Sequence, residues 1–397
     1  MNRIGKGILG VAAMAIAGVT IAWATSPDPH KNPASFEDEP VQVRLAPFEE
    51  AVTLARFEGG DGGSAALLVL DFDGQRVSGV DLRELGAEAG MGPFEALEAA
   101  KIGDLDAYAL GRFPQHSVAV GDLLPSGPAG SRHIGIGTNF PEHAEEANSA
   151  SVFIFPKFGP ATPARTQVRA EAGILLDYEV EFCMRFDRNV TSRAEFDAAV
   201  KGLFLCGDFT NRNALVELAD PDNLDSGFGF SDAKSGPDFF PTGPFLVIPR
   251  DWEKFTADLR MTTSVNGEAR QDARGREMTL DFGELAEKAL REMGDPRFLY
   301  KDAFVKLAEE NRIDTTTTLM SGTSEGTIFT APTRGDIIEA IAAYVLQGGP
   351  LSGRGFMGSA RETFIANELE TAHYLQPGDQ VRYASNWLGD IEVKVVR

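Results

Sequence analysis

Asp177-Tyr178-Glu179-Val180-Glu181-Phe182 sets two carboxylates two residues apart inside an otherwise apolar run. Read as a strand, its period of two places Glu179 and Glu181 side by side on one face. Two ionised carboxylates that close repel each other unless a cation or a proton neutralises them. A second run, Leu203-Phe204-Leu205-Cys206-Gly207-Asp208, ends on a third carboxylate. Three converging carboxylates suit a hard divalent ion, Mg²⁺ or Mn²⁺ before Zn²⁺.

Working outward from these two runs, further strands are expected at residues 151–155, 245–248, 259–265 and 380–383. Helices are expected at 140–147, 193–200, 282–291 and 336–346. Many strands and few helices, without strict βαβ alternation, predict a mixed, β-dominated (α+β) fold. The length of 397 residues allows two structural units. Short apolar runs between Gly-rich turns predict a small β-rich N-terminal domain over residues 41–125. The longer runs and the unusual polar clusters lie in a second unit, residues 126–397.

The N-terminus reads differently. Arg3 and Lys6 precede an apolar run from Ile8 to Ala24, closed by Ala22-Trp23-Ala24. A basic start, an apolar middle and a small-x-small end predict a signal peptide or an N-terminal anchor over residues 1–24. The body is then exported and periplasmic, with a membrane tether only through residues 8–24. Residues 25–40, rich in Pro, Asp and Glu, read as a linker. The net charge of -22 argues against a nucleic-acid partner, because phosphate binding needs basic patches.

The two cysteines give no CxxC and no zinc spacing. Cys183 shares strand parity with Glu179 and Glu181, and Cys206 with Asp208. If the two strands are neighbours, a disulfide beside the carboxylates is open to them. The alternative is two buried thiols acting as small hydrophobes, the commoner environment for cysteine. Gly353-Arg354-Gly355-Phe356-Met357-Gly358 matches GxGxxG, but it follows an expected helix rather than a strand and is read as a mobile insertion, not a nucleotide loop.

Two further residues stand out. His143 lies on the expected helix after Asn139, which is placed to cap it; Glu146, three residues on, shares its face and can orient the imidazole. Lys234 lies in a Gly/Pro/Phe-rich segment, Ser231 to Pro244, suited to a lid. Taken singly, His143 on an exposed acidic helix and Lys234 as a solvated lysine remain open readings. Ser321-Gly322-Thr323-Ser324-Glu325-Gly326-Thr327 is a turn of small residues whose N–H groups suit an anion.

In order along the chain, GTNFPEHAEE, FPK, LDYEVEF, GDFTNR, AKSGPDFFPTGP, VNGE, SGTSEGT and LQPGD resemble the fumarylacetoacetate hydrolase family, from about Gly135 to the C-terminus. The resemblance implies a rolled β-sheet catalytic domain, a small β-barrel-like N-terminal domain and a homodimer. It implies Glu179, Glu181 and Asp208 as ligands of a divalent ion, Mg²⁺ with Mn²⁺ or Ca²⁺ as alternatives. It implies His143 and Glu146 as a water-activating dyad, Lys234 as the active-site lysine, and Thr323 and Arg212 as substrate-binding residues. The activity implied is metal-dependent hydrolysis of a carbon–carbon bond in a β-diketo or 2-oxo acid, a small-molecule substrate. A lyase or isomerase working through an enolate is the alternative, and an exported binding protein without turnover a third. Three features depart from the family: the export signal, a stretch at about 331–370 that reads as an insertion, and no match near residues 134–136 for a fourth carboxylate.

Overall fold

Val180–Phe186 and Lys201–Gly207 are buried at every position, as befits strands covered on both faces. The computed structural model of the chain describes residue 14 and residues 17–397, apart from 61, 103–106, 150 and 221–222. The two strands pair antiparallel, from Val180 opposite Gly207 to Phe186 opposite Lys201. They lie inside an 11-stranded sheet. Its order from one edge is Gln115–Ala119, Arg76–Asp81, Ser64–Phe72, Ala51–Glu58, Leu246–Pro249, Lys201–Gly207, Val180–Phe186, Leu319–Met320, Arg132–Gly137 and Phe153–Phe158, with Leu123–Leu124 pairing beside Ala51–Glu58. The strands of the first 124 residues thus hydrogen-bond onward into the sheet that carries the carboxylates, through Ala51 to Leu54 against Leu246 to Pro249.

A five-stranded sheet runs Glu268–Arg274, Arg260–Val265, Gln380–Ser385, Gly389–Val396 and Arg165–Arg169. It packs on the large sheet where Val180–Phe186 meets Arg260–Val265 and Lys201–Gly207 meets Gln380–Ser385. Phe182, Leu205, Met261, Val381 and Tyr383 fill the space between them. This is the mixed, sheet-based architecture the sequence predicts. Helices at Pro141–Glu146, Arg193–Ala198, Phe282–Glu292 and Arg334–Leu346 fall where the periodicity places them.

Two local expectations need correction, and a third holds. The stretch from Leu175 to Phe186 is not one strand: Leu176–Asp177 pairs separately with Thr210–Asn211, and regular pairing resumes only at Val180. Glu179 sits in the break, where its carbonyl accepts from Asp208 N–H at 2.9 Å. Asn139 does not cap the helix after it; the capping position is Phe140, and the Asn139 amide instead ties Leu280 and Ser321 together. The GxGxxG match opens a helix, Phe356–Thr371, that packs on Arg334–Leu346. Its turn follows a helix, not a strand, so it has no place in a dinucleotide fold.

Most of the apolar run from Ile8, with its basic start, lies outside the described residues. Residues 17–24 are helical. Among the described residues, no helix is long and apolar enough to cross a membrane.

Cys183 and Cys206 form a disulfide, with Cα atoms 6.0 Å apart. The buried-thiol reading therefore gives way to the paired one. The register explains it: Cys183 lies opposite Phe204 and Glu181 opposite Cys206, so the two cysteines are diagonal neighbours on one face. Their bond closes a loop of 23 residues in sequence separation. Reduction is expected to cost about 3 kcal/mol through the freed unfolded chain. Urea unfolding with and without a thiol reductant measures it; coincident curves would show that the bridge adds nothing.

His133 is fully buried, opposite Lys157 in the sheet. Its Nδ1 accepts from Thr318 N–H at 3.2 Å, so Nε2 carries the hydrogen and donates to the Gly159 carbonyl at 3.1 Å. Burial pulls its pKa down to about 3, helped by Lys157 and opposed by the Gly159 bond and the Asp314 charge. Below the ordinary value of about 6.5 the unfolded chain binds a proton that the folded chain refuses. Stability should therefore fall with pH from about 6.5 toward 3, at up to about 1.4 kcal/mol per pH unit. His133→Gln should flatten that acid limb in denaturant titrations at pH 4 to 6; an unchanged slope would assign it to other groups.

Candidate metal centre and active site

The break before Val180 turns Glu179 toward Glu181 and Asp208. Ligand oxygens of the three lie within 4.8 Å of one another, all buried. Asp177, at the end of its own short strand, belongs to the same charged layer. Its carboxylate accepts from Ile328 and Phe329 N–H and from Arg212 Nε at 2.9 Å.

Three cations answer these carboxylates. Arg212, at the first turn of the helix Arg212–Leu218, bridges Asp177 and Glu179 at 2.8 and 2.9 Å. Lys234 Nζ lies 2.6 Å from Glu179 Oε2 and 2.9 Å from Asp208 Oδ2, and donates to Thr210 Oγ1. Lys157, wholly buried, donates to Asp208 Oδ1 at 2.6 Å and to the Lys234 and Phe239 carbonyls.

Four buried carboxylates (Asp177, Glu179, Glu181, Asp208) thus face three buried cations (Arg212, Lys157, Lys234). The unmatched charge falls on Glu181. Its Oε2 accepts from Gly322 N–H at 2.8 Å, while Oε1 is buried without a hydrogen-bond partner. Burial, followed by the neighbouring charge of Asp208, drives its pKa well above the usual carboxylate range. Glu179 goes the other way: burial would raise it, but Lys234 and Arg212 hold it below the ordinary value. Burial likewise disfavours the Lys234 ammonium, yet the carboxylates of Asp208 and Glu179 keep its pKa raised.

These residues fit a divalent cation. Asp208 Oδ2, though within ion-pair range of Lys234, takes no aligned hydrogen bond. Together with Glu181 Oε1 it offers buried oxygen lone pairs beside an uncompensated negative charge, the donor set of a hard ion. The Lys234 ammonium lies among these oxygens.

His143 and Glu146 line a cavity that Glu179 also lines. His143 Nδ1 lies 2.9 Å from Glu146 Oε2, and Gly326 N–H donates to Glu146 Oε1 at 2.9 Å. Gly326 has φ +95, and a Cβ there would lie 2.0 Å from the Arg270 carbonyl, so only glycine lets the turn reach Glu146. His143, Glu146, Glu179, Arg212, Lys234 and Thr323 all line the cavity. Glu181 and Asp208 lie beneath it, fully buried. The Arg212 guanidinium is committed to Asp177 and Glu179. The Thr323 hydroxyl donates to the Val180 carbonyl and accepts from Gln271, which leaves it one lone pair toward the cavity.

Two residues with no role assigned from sequence belong to the centre. Lys157 holds Asp208 and the Lys234 backbone together. Its signal was a lone lysine inside the apolar strand Phe153–Phe158. Asp177 fixes Arg212, and nothing in its strand-end position marked it.

A family model for the fumarylacetoacetate hydrolase C-terminal domain matches residues 132–396. The chain belongs to the fumarylacetoacetate hydrolase family. Proteins of this family bind a divalent metal and include both isomerases and hydrolases acting on small molecules. Two solved isomerase structures share the fold. A 5-carboxymethyl-2-hydroxymuconate delta-isomerase from Mycobacterium smegmatis is 18% identical with a TM-score of 0.51, covering 87% of this chain and 99% of its own. A probable 2-hydroxyhepta-2,4-diene-1,7-dioate isomerase from Mycobacterium abscessus is 20% identical with a TM-score of 0.50, covering 87% and 98%. A fumarylpyruvate hydrolase from Pseudomonas aeruginosa, in complex with Mn²⁺ and pyruvate, is 16% identical with a TM-score of 0.43, covering 67% and 89%. The chain has no match among curated proteins.

Proposed function

We propose that this member of the family is a divalent-metal-dependent hydrolase that cleaves a carbon–carbon bond in a β-diketo or 2-oxo acid. The observation that carries the reading is the His143–Glu146 pair opening onto the cavity that Glu179 and Lys234 also line.

Glu179, Glu181 and Asp208 would hold the ion, Mg²⁺ before Mn²⁺ or Ca²⁺, and when bound it supplies Lewis-acid polarisation of a substrate carbonyl. The chain's own groups do the rest. Glu146 occupies His143 Nδ1, so Nε2 is the nitrogen that takes a proton from water. The hydroxide oxygen adds to the carbonyl remote from the carboxylate. The bond between that carbon and the neighbouring methylene then breaks, and its electron pair passes to the other fragment as an enolate. Lys234 Nζ faces the developing oxyanion. The proton held at His143 Nε2 returns to the enolate carbon, giving one carboxylic acid and one 2-oxo acid. Thr323 and Arg212 would orient the substrate, Arg212 through its hold on Glu179.

The same base could instead remove a proton from carbon, which keeps a lyase or isomerase as the second reading, since the family holds isomerases too. Mass spectrometry of products from a panel of diketo and 2-oxo acids with added Mg²⁺ or Mn²⁺ separates them. Two fragments whose masses sum to substrate plus one water are expected; a product of unchanged mass, or loss of CO₂ or water, would replace the hydrolase reading. We propose in addition that the protein is exported to the periplasm and works as a homodimer. The disulfide supports the compartment, because such bonds persist in oxidising surroundings.

A further inference from the structure

The cavity is larger than its charged end requires. Its volume is about 360 Å³, within the range of small-molecule sites. The helix Arg212–Leu218 begins at the charged layer with Arg212 and leads away from it. Leu215, Val216 and Ala219 on its inner side line the cavity. At 1.5 Å per residue this wall extends about 10 Å beyond Arg212. Leu224 and Phe230 continue it, with the Phe230 ring 4.6 Å from that of Phe153. Met357, from the inserted helix Phe356–Thr371, closes the rim.

The charged lining groups are already paired: Glu179 with Arg212 and Lys234, His143 with Glu146. Among the described lining residues the remaining cation is Arg361, half-exposed, whose Nη1 donates to the Glu217 carbonyl at 2.9 Å. A second substrate carboxylate lying along this wall would lose its water against Leu215, Val216 and Leu224 without a buried partner. An alkyl or aryl group there gains from leaving water.

We infer that the substrate is an oxo acid whose end remote from the reacting carbonyls is apolar, and that Val216 and Met357 select for that tail. The inference rests on the proposed function, because the oxo-acid head is placed by the metal centre. The inserted helices then serve specificity: they bring Met357 and Arg361 to the rim of a cavity whose chemistry lies elsewhere.

Calorimetric titration of the full chain, loaded with Mg²⁺ or Mn²⁺, tests this with 2-oxo acids that lack a second carbonyl and so cannot be cleaved. Pyruvate, 2-oxobutanoate, 2-oxohexanoate and 2-oxooctanoate form the series, with the dicarboxylate 2-oxooctanedioate as the contrast. Affinity is expected to rise about fourfold per added methylene until the wall is covered. The dicarboxylate should bind at least about 100-fold more weakly than 2-oxooctanoate. Val216→Asp and Met357→Asp should each cut the gain per methylene to below about twofold. Met357 is exposed, so its substitution does not threaten folding. A series flat in chain length, or a dicarboxylate that binds more tightly and loses that advantage in Arg361→Ala, overturns the tail inference and leaves the proposed function standing. No metal-dependent binding of any member, pyruvate included, removes the proposed function and the inference with it.

Discussion

Glu181→Gln is expected to abolish metal-dependent turnover while leaving the metal-free protein as stable as the parent, or more so. The two effects have one origin. Glu181 is the carboxylate that the buried cations leave unmatched: burial and Asp208 hold its pKa well above the usual carboxylate range, and one of its oxygens has no partner. Its ionisation is therefore disfavoured until a cation arrives. Glutamine keeps the shape, and its carbonyl still accepts from Gly322 N–H, the bond that Glu181 Oε2 now makes at 2.8 Å. What it removes is the charge that makes the site attractive to a dication. A Lewis acid supplies several kcal/mol of transition-state stabilisation, so the activity loss should be about 10³-fold or more.

Thermal unfolding reads the other half. Saturating Mn²⁺ at about 100 times its dissociation constant should stabilise the parent by about 2.7 kcal/mol and the variant by nothing. A variant that responds to the ion like the parent, or one that keeps metal-dependent activity, would falsify the assignment of Glu181.

His143→Ala is expected to lower kcat by about 10² to 10⁴, the usual worth of a positioned general base. Its metal-dependent stabilisation should stay intact, because His143 is bonded to Glu146 and is not one of the three clustered carboxylates. Glu146→Gln should cost less, since it leaves the imidazole in place but withdraws the charge that orients it. The pair should be far from additive, because both act through one proton at Nε2. Added imidazole restoring part of the His143→Ala rate would mark a proton-transfer role; a rate unaffected by the substitution would return His143 to the status of a surface histidine on an acidic helix.

Much of the chemistry was legible in the sequence because it obeys short-range rules. The i, i+3 relation of His143 and Glu146 is a property of any helix, and it is met at 2.9 Å. The carboxylates of LDYEVEF and Asp208 of GDFTNR belong to adjacent runs that the sheet brings together. Elsewhere the same rules misled. Strand parity places Glu179 and Glu181 on one face of a continuous strand. In the fold, Asp177 is captured by Thr210–Asn211 and the strand breaks, yet the two carboxylates still converge because the Glu179 carbonyl is bonded to Asp208 N–H. Asn139 has the composition of a cap, but the polar groups of Leu280 and Ser321, far away in sequence, claim its amide.

By itself, the sequence determined which residues carry charge, which runs form strands, and that an imidazole and a carboxylate share a helical face. These follow from local periodicity, where a residue's neighbours in sequence are its neighbours in space. Only the tertiary structure decided that Cys183 and Cys206 are bonded, that Lys157 is buried against Asp208, and that three cations meet four carboxylates so that Glu181 is left over. Pairing and charge balance depend on register and on contacts between distant segments, and a buried charge is set by the sum of all its neighbours rather than by any one spacing along the chain.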